Sequence, residues 1–321
     1  MDVHKGFSHA IVMTETGEVL KEGRIETSSE GMKGFFQGLP PSRIAMESTR
    51  AWEPVYEALT ELGHDVRLSH PMKTKAIAYA KVKTDKVDAR TLADLLRANL
   101  LPQSYVPPKE IRNLRNICRE RSHIVGDRTR WKNRLRAELG RRGIKPPFKN
   151  LYNRDAKSWL KSLKIRKLDR ILSFIEFLDF KVQEIDQHLH EYIKSIPEIK
   201  ILTTIPGVGA YSAAVIYSEI GEIERFPTSE KLCAYAGLVP STHQSGSHAY
   251  HGRITKEGSR YLRWILVECA QIHVAKFDTR VTRFHNRLKY RVGKQKAVVA
   301  SARKLCKIIF WMLTCKEGFK G

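Results

Sequence analysis

The feature that most constrains the fold is a heptad pattern in the middle of the chain. Apolar residues follow one another there at alternating steps of four and three, which places them on one stripe of a long α-helix that must pack along another helix to leave water. The stripe consists of Ile171, Ile175, Leu178, Val182, Ile185, Leu189, Tyr192 and Ile196. A weaker stripe precedes it at Leu114, Ile117, Ile124, Trp131 and Leu135, with Arg121 and Arg128 at two of its seam positions.

The two helices expected over residues 107–197 can pair in two ways. Gly143–Pro147 interrupts the first helix, so the chain can turn back and form a hairpin within one molecule. The same seam is also typical of self-association. We expect a homo-oligomer, a dimer or tetramer, because a lone hairpin would leave part of the seam wet. We also expect cations of the first helix, including Arg121 and Arg128, to lie along nucleic acid.

Positive charge is concentrated in two parts of the chain. The 57 lysines and arginines exceed the 34 aspartates and glutamates by 23. Residues 1–100 are balanced, whereas residues 101–150 hold 14 basic and 4 acidic side chains and residues 201–321 hold 19 and 8. An excess of this size and segregation predicts a surface that binds the phosphate backbone of a nucleic acid.

Several protein classes are excluded by length and composition. The 321 residues suit two or three domains of about 150 residues each, and 42% hydrophobic residues suffice for a packed core. The longest apolar runs, 297–302 and 308–313, are too short to cross a bilayer. The start of the chain has no secretory pattern. Five cysteines without a CxxC pattern indicate neither a zinc site nor a disulfide framework. We therefore expect a cytoplasmic, nucleoid-associated protein without a membrane partner.

The first third of the chain predicts an α/β domain. Alternating apolar residues indicate strands at 9–13 and 19–27, joined by a turn at 16–18, and shorter strands at 43–46 and 65–68. Helical patterns occur at 31–38, 52–62 and 86–98. A hairpin followed by alternating helices and strands predicts a mixed sheet with helices packed on it.

Four carboxylates lie at the ends of these predicted elements. Asp2 belongs to a first strand, Glu47 follows the strand at 43–46, and Asp85 and Asp88 are on one side of a helix start. Carboxylates that converge from separate elements are the ligands that Mg²⁺ needs. The alternatives are a helix cap at Asp85, an ion pair of Asp88 with a nearby cation, a helix start at Glu47 and an exposed terminal Asp2.

The last third of the chain contains a glycine-rich turn that opens a helix. Ile205-Pro206-Gly207-Val208-Gly209 precedes an apolar helix at 210–220. In a helix-hairpin-helix element, such glycines let the backbone approach a phosphate, which predicts nucleic-acid contacts at Gly207 and Gly209. An ordinary turn between two packed helices has the same pattern.

A polar segment at 238–247 follows, in which Ser245 and Ser247 flank Gly246. The next residues supply cations that could hold a phosphodiester and stabilise charge while a hydroxyl attacks phosphorus. These are Arg253, Lys256, Arg260 and Arg263. The residues alone indicate a phosphate-binding loop with incidental serines.

In their order along the chain, these motifs resemble the transposases of insertion-sequence family 110. The N-terminal markers are Asp2-Val3-His4-Lys5, Met46-Glu47-Ser48-Thr49 and the segment from Lys83 to Ala89. The C-terminal markers are Ile205–Gly209, Ala234–Pro240, Gln244-Ser245-Gly246 and Arg253–Gly258.

The resemblance implies three domains. A RuvC/RNase H-like domain with a DEDD site would span residues 1–103, a helical coiled-coil segment 104–198, and a mostly helical transposase domain with a helix-hairpin-helix-like element 199–321. Asp2, Glu47, Asp85 and Asp88 would be catalytic and hold Mg²⁺, and Ser245 would be the nucleophile that joins covalently to DNA.

The resemblance also implies partners, which are donor and target DNA, a structured guide RNA, and a second subunit that completes the active site. Two other functions stay open on the sequence. One is a metal-only nuclease or junction resolvase that needs the acids and no serine. The other is a non-catalytic nucleic-acid-binding remnant of an element.

Overall fold

The computed structural model describes residues 1–49, 51–78, 84–245 and 248–321, except the side chains of residues 242–249 and 251. The chain folds into two compact units, Met1–Val106 and Pro107–Gly321. The division into domains 1–103, 104–198 and 199–321 stays a prediction. Within the described ranges, no helix combines the length and the apolar character that a membrane span requires.

Unit 1 alternates strands and helices after an initial hairpin, as predicted. Its strands are β1 Asp2–Val3, β2 Phe7–Met13, β3 Val19–Glu26, β4 Arg43–Glu47, β5 Asp65–Ser69 and β6 Gln103–Ser104. Its helices are α1 Ser29–Phe36, α2 Trp52–Glu61, α3 Pro71–Ile77 and α4 Asp85–Arg97. The expected strands and helices are confirmed to within two residues at each end. Helix α3 and strand β6 were not predicted.

The strands of unit 1 form two three-stranded sheets that adjoin at β1. In the first sheet, β1 and β3 are antiparallel to the central strand β2. In the second, β4 is parallel to β5, and the short β6 is antiparallel to β5. The buried Met1 amine donates a hydrogen bond of 2.6 Å to the carbonyl oxygen of Ala45 in β4. This bond connects the start of β1 to the second sheet.

Alternation along β4 explains why helices cover both faces of unit 1. Successive side chains of a strand point to opposite faces. Met46 packs in the cluster that includes Met32 of α1 and Leu59 of α2. Its neighbour Ala45 packs with Leu92 of α4 instead. The start of α4 is thereby held close to the end of β1, which positions two of the predicted acids.

Unit 2 is mostly helical. Its helices are α5 Lys109–Arg141, α6 Arg154–Ser162, α7 Arg166–Ile193, α8 Pro197–Thr203, α9 Ala210–Ile220, α10 Ser229–Tyr235, α11 Arg260–Lys276, α12 Arg280–Val292 and α13 Lys294–Cys315. A 3-10 turn at Ile223–Arg225 and two strands, β7 Pro240–Ser245 and β8 His248–Ile254, complete it. Helix α9 is buried over nearly its whole length and packs against α5, α8 and α11.

The heptad stripe packs against α5 within the chain. Arg121 of α5 pairs with Asp186 of α7 at 2.5 Å, and Arg128 pairs with Asp179 at 2.8 Å. The residue numbers of the partners decrease along α7 as those of the arginines increase along α5, so the two helices are antiparallel. Leu178, Ile185, Tyr192 and Ile196 of the stripe are only partly buried, so the hairpin does leave part of the seam exposed to water. The buried members of the stripe are Ile171, Ile175, Val182 and Leu189. An oligomer stays a prediction that this hairpin does not require.

The segment expected to be a phosphate-binding loop is a β-hairpin. Strand β7 pairs with β8 in antiparallel register from Ser245↔His248 to Pro240↔Ile254, with an irregularity after Pro240. Pro240 is tolerated because it is the first residue of its strand. The serines and glycines of this segment favour a loop, whereas Thr242, Tyr250 and Ile254 are of the residue types that favour strands.

Candidate functional site

The structure brings two of the four predicted acids together around a histidine. Asp2 lies in β1 with its side chain 6% exposed, whereas Asp85 is the first residue of α4 and is 45% exposed. His4 Nε2 is 3.1 Å from Asp2 Oδ2 and 3.3 Å from Asp85 Oδ1. One ligand atom from each residue lies within 4.8 Å of the other two.

Local structure explains this convergence. Asp2 and His4 are two residues apart along an extended chain, so their side chains point to the same face. Thr84 caps α4, because its hydroxyl accepts the backbone N–H of Val87 at 3.2 Å. The cap therefore belongs to Thr84, and Asp85 can point towards His4. His4 was not predicted as a functional residue, although the spacing of Asp2 and His4 was a usable signal.

Glu47 lies at the end of β4, half-buried, and close to the same part of the sheet. Burial lowers the pKa of the Met1 amine to about 5, and the charges of Asp2 and Glu47 act in the opposite direction. Both carboxylates are thus near this amine. Within the described residues, however, the close group comprises Asp2, His4 and Asp85, and Glu47 is not a member.

Asp88 is half-buried in the first turn of α4, on the turn that carries Asp85. The basic residues nearest to Asp88 in sequence, Lys86 and Arg90, both lie close to other carboxylates. Lys86 pairs with Glu22 at 2.9 Å, and Arg90 lies 4.0 Å from Asp94. A role for Asp88 as a metal ligand stays a prediction.

The chemistry of this donor set fits a divalent cation. Two carboxylates from separate elements supply hard oxygen ligands, and an imidazole nitrogen adds a ligand that several divalent metals accept. The low exposure of Asp2 is consistent with a carboxylate held by a fixed backbone. Asp2, His4 and Asp85 are therefore residues of unit 1 that could hold a metal.

In unit 2, Ser245 occupies the last position of β7, opposite His248. Its side chain lies outside the described residues, as do Gly246 and Ser247, so its role as the nucleophile stays a prediction. Another serine of this segment, Ser241, is on the same strand. Gly252 of β8 packs close to it, since an added Cβ there would lie 2.4 Å from the Ser241 hydroxyl.

The four predicted phosphate-binding cations are not equivalent. Arg253, Lys256 and Arg260 are exposed on or after β8. Arg263 is half-buried and donates a hydrogen bond of 3.1 Å to the carbonyl oxygen of Ala236. Burial lowers the pKa of Arg263. The described structure thus gives Arg263 a packing role, and a phosphate contact by any of the four stays a prediction.

Two glycines fix the base of the hairpin. Gly237 has φ +65° and Gly258 has φ +80°, a region that favours glycine. An added Cβ on Gly258 would lie 2.1 Å from the backbone carbonyl oxygen of Tyr235, and one on Gly237 would lie 2.4 Å from the backbone carbonyl oxygen of Glu257. The loop after β8 is therefore pressed against the end of α10. This close contact explains why glycine occurs at both positions.

A buried carboxylate connects this loop to the long helix α5. Glu219 of α9 receives Arg119 Nε at 2.7 Å and Nη2 at 3.0 Å, and the Ser259 hydroxyl donates to it at 2.8 Å. Ser259 in turn caps α11 by accepting the N–H of Leu262 at 3.1 Å. This network was not predicted, because the three residues are far apart along the chain.

The glycine-rich turn has both a packing reason and an open helix start. Gly207 has φ +88° and leaves room for the backbone of His273, whose Nδ1 is 2.7 Å from the Pro206 oxygen. Gly209 opens α9 without a side-chain cap, and open space surrounds the place of its missing Cβ. Gly207 thus fits the packed-turn alternative, and phosphate contacts at Gly207 and Gly209 stay predictions.

Arg121 and Arg128, also predicted to contact nucleic acid, are engaged within unit 2. Both are part of the ion pairs between α5 and α7, and Arg121 also lies over the Tyr211 ring at 4.0 Å. Their guanidinium groups have this structural use whether or not a nucleic acid is bound.

Comparison with known proteins identifies the family. The family model DEDD_Tnp_IS110, described as a transposase, matches residues 1–141. A second model, described as the transposase IS116/IS110/IS902 family, matches residues 199–286. A probable family 20 transposase of Pseudomonas aeruginosa is 30% identical over 302 residues, which cover 89% of this chain and 88% of the relative. The chain belongs to the IS116/IS110/IS902 transposase family.

Other relatives of this transposase match over nearly the whole length. The transposase for insertion sequence element IS1328 of Yersinia enterocolitica is 25% identical over 98% of this chain and 95% of its own. The transposase for insertion sequence element IS1111A of Coxiella burnetii is 24% identical over 100% of this chain and 90% of its own length. The chain is thus a DNA transposase, an enzyme that cuts and rejoins DNA, and its DEDD family model implies a divalent metal.

Proposed function

We propose that this transposase cuts and rejoins DNA through a covalent phosphoserine intermediate, with help from a metal held by its acidic residues. The observation that carries the proposal is the convergence of Asp2, His4 and Asp85 in the region matched by the DEDD family model. Glu47 and Asp88 would complete the ligand set. Unit 1 would accordingly have a RuvC/RNase H-like fold, which its antiparallel β1–β3 followed by the parallel pair β4 and β5 supports.

In this mechanism, the Ser245 hydroxyl releases its proton to solvent as its oxygen forms a bond to phosphorus, and the bond from phosphorus to one deoxyribose oxygen breaks. That oxygen takes up a proton, and the reverse attack later rejoins the strands without ATP. A bound Mg²⁺ would supply charge stabilisation for the phosphate oxygens in the transition state. The exposed Arg253, Lys256 and Arg260 lie on or after the strand paired with β7, so they would hold the phosphodiester nearby.

The proposal extends to partners. The chain carries a net charge of +23, much of it in unit 2, which suits a protein that binds DNA mainly through its backbone. A structured guide RNA would then choose the sequence by base pairing. A second subunit would bring its serine to the acids of the first, and the complex would act on the nucleoid in the cytoplasm.

Three variants test the mechanism on a labelled DNA substrate with Mg²⁺. We expect Ser245→Ala to abolish both the protein–DNA adduct and recombination, and Asp85→Asn to reduce both. Ser241→Ala is the matched control and should retain activity. An adduct formed by Ser245→Ala would contradict the serine assignment.

A metal-only nuclease is the second candidate, and the acidic cluster favours it as much as the first. It predicts hydrolysed ends from Ser245→Ala and no cleavage by Asp85→Asn. Salt-sensitive DNA binding with no cleavage by the wild type would instead indicate a non-catalytic remnant.

A further inference from the structure

A row of aromatic side chains is exposed on helix α7, beginning beside its seam with α5. Phe174, Phe177 and Phe180 are 49%, 56% and 59% exposed, although their seam neighbours Ile175 and Val182 are buried. A contiguous apolar patch on a surface marks an interaction site more often than single exposed residues do. We call these three phenylalanines the aromatic row.

The aromatic row continues into a groove between α5 and α7. Phe174 stacks on Trp131, with ring centroids 4.6 Å apart and planes 12° apart. Arg134 lies over the same Trp131 ring at 4.5 Å. Trp131 and Phe174 both line a groove of about 570 Å³. Phe174 and Arg134 thus cover the Trp131 ring, and the exposed aromatic surface is that of the three phenylalanines.

Cations accompany the aromatic faces along the whole row. The groove is lined by Arg134, Arg141, Lys167 and Arg170, and Glu138 is the carboxylate among them. Glu138 is itself held by Arg141 and Lys167, at 2.7 and 2.9 Å. At the other end, Lys181 lies 6.0 Å from the Phe177 ring and 5.6 Å from the Phe180 ring, and it also pairs with Glu184.

We propose that the aromatic row and its groove bind unpaired nucleotides, whose bases stack on the phenylalanines while the cations hold the phosphates. Proteins that bind single strands combine stacking faces with a positive groove in this way. Three residues advance about 4.5 Å along a helix, so the row spans about 9 Å, which suits two or three stacked nucleotides. Ribose and deoxyribose strands both fit, since base faces and phosphates are common to both.

A second copy of the chain fits this surface less well. The cores of protein–protein interfaces are depleted of charged residues, whereas here cations flank the rings at both ends of the row. Charge complementarity therefore favours a polyanion.

The test compares full-length wild type with the double variant Phe177→Ala/Phe180→Ala. The probes are fluorescent oligo-U, oligo-dT and a DNA duplex of equal length, followed by anisotropy at several salt concentrations. Stacking is lost for about two bases, so we expect single-strand affinity to fall roughly tenfold or more. The salt slope should not change because no cation is removed, and duplex affinity should stay within about twofold of the wild type.

Two control variants separate stacking from other causes. Tyr290→Ala removes an aromatic ring that is 83% exposed on α12 and should leave single-strand affinity unchanged. Phe177→Leu/Phe180→Leu keeps the apolar surface and removes the flat faces, so it should bind as weakly as the alanine variant. Loss with oligo-U only would assign the site to an RNA strand, and loss with oligo-dT only to a DNA strand.

Unchanged single-strand binding by the alanine variant would overturn the proposal. So would a fall in oligomer size of that variant in light scattering, with full binding restored by the leucine variant, because a second copy would then occupy the row. The measurement needs no strand cleavage. Its result therefore tests the aromatic row independently of the phosphoserine mechanism.

Discussion

Replacing Arg119 by methionine leaves a buried carboxylate without its charged partner. The Glu219 side chain is 1% exposed, whereas that of Arg119 is 37% exposed. Both carboxylate oxygens of Glu219 bond to Arg119, and the Ser259 hydroxyl would stay behind as a neutral donor. Breaking a buried pair from one side costs about 3–5 kcal/mol. We expect Arg119→Met to lower the free energy of unfolding of unit 2 by that amount.

The opposite change should be cheaper. In Glu219→Gln the guanidinium of Arg119 can turn towards water, and the new amide oxygen can still accept the Ser259 hydroxyl. We expect a loss of about 1–2 kcal/mol. Arg119→Met/Glu219→Leu removes both charges, so its stability should lie within about 1 kcal/mol of the wild type.

Urea unfolding of the full chain, followed by circular dichroism, measures all three variants. The slope of the free energy of unfolding against urea concentration must be the same in all variants for the free energies to be comparable. Equal losses from Arg119→Met and Glu219→Gln, or a larger loss from the glutamine variant, would refute the reasoning that burial of the carboxylate decides the cost.

Three further changes test the packing of unit 2. Gly258→Ala should destabilise by about 2–3 kcal/mol, because its φ is +80° and the new Cβ would meet the Tyr235 oxygen; an unchanged urea midpoint would contradict this. Gly126→Ala, inside α5 with only the tip of Arg130 within 4 Å, should stabilise by about 0.5–1 kcal/mol in the same measurement, and a loss would contradict it. Hydrogen bonds from Lys167, then Arg141 and Arg142, lower the pKa of Glu138 from 4.5 to about 2. The ionised carboxylate therefore adds stability above pH 4.5 that is lost as pH falls towards 2. Glu138→Gln should flatten the dependence of the urea midpoint on pH in that window, and an unaltered pH profile would contradict the assignment.

Much of the fold was predictable from local sequence patterns. The heptad stripe predicted α7 because a repeat near 3.5 residues is specific to helices that pack along a seam, and alternation predicted the hairpin of β2 and β3. The partner of the stripe was not predictable in the same way. Arg121 and Arg128 interrupt the first helix's seam, and only their pairing with Asp186 and Asp179 shows that these charges belong in an intramolecular hairpin.

The candidate site was predicted in part. Asp2 and Asp85 come together as the order of elements indicated, whereas His4 lies within a marker motif but was not recognised as a ligand. Glu219 could not be found from the sequence. The residues that satisfy this buried carboxylate, Arg119 and Ser259, are far from it along the chain. The hairpin of β7 and β8 was missed because its serines and glycines favour a loop.

Peptide mapping of a trapped adduct tests most directly whether Ser245 becomes joined to DNA. The wild-type transposase would be denatured during reaction with a substrate DNA and Mg²⁺, then digested with protease and nuclease. Mass spectrometry should find a nucleotide linked through phosphate to the peptide that contains Ser245. A linkage on Ser241 or another residue, or cleaved DNA without any linked peptide, would contradict the account.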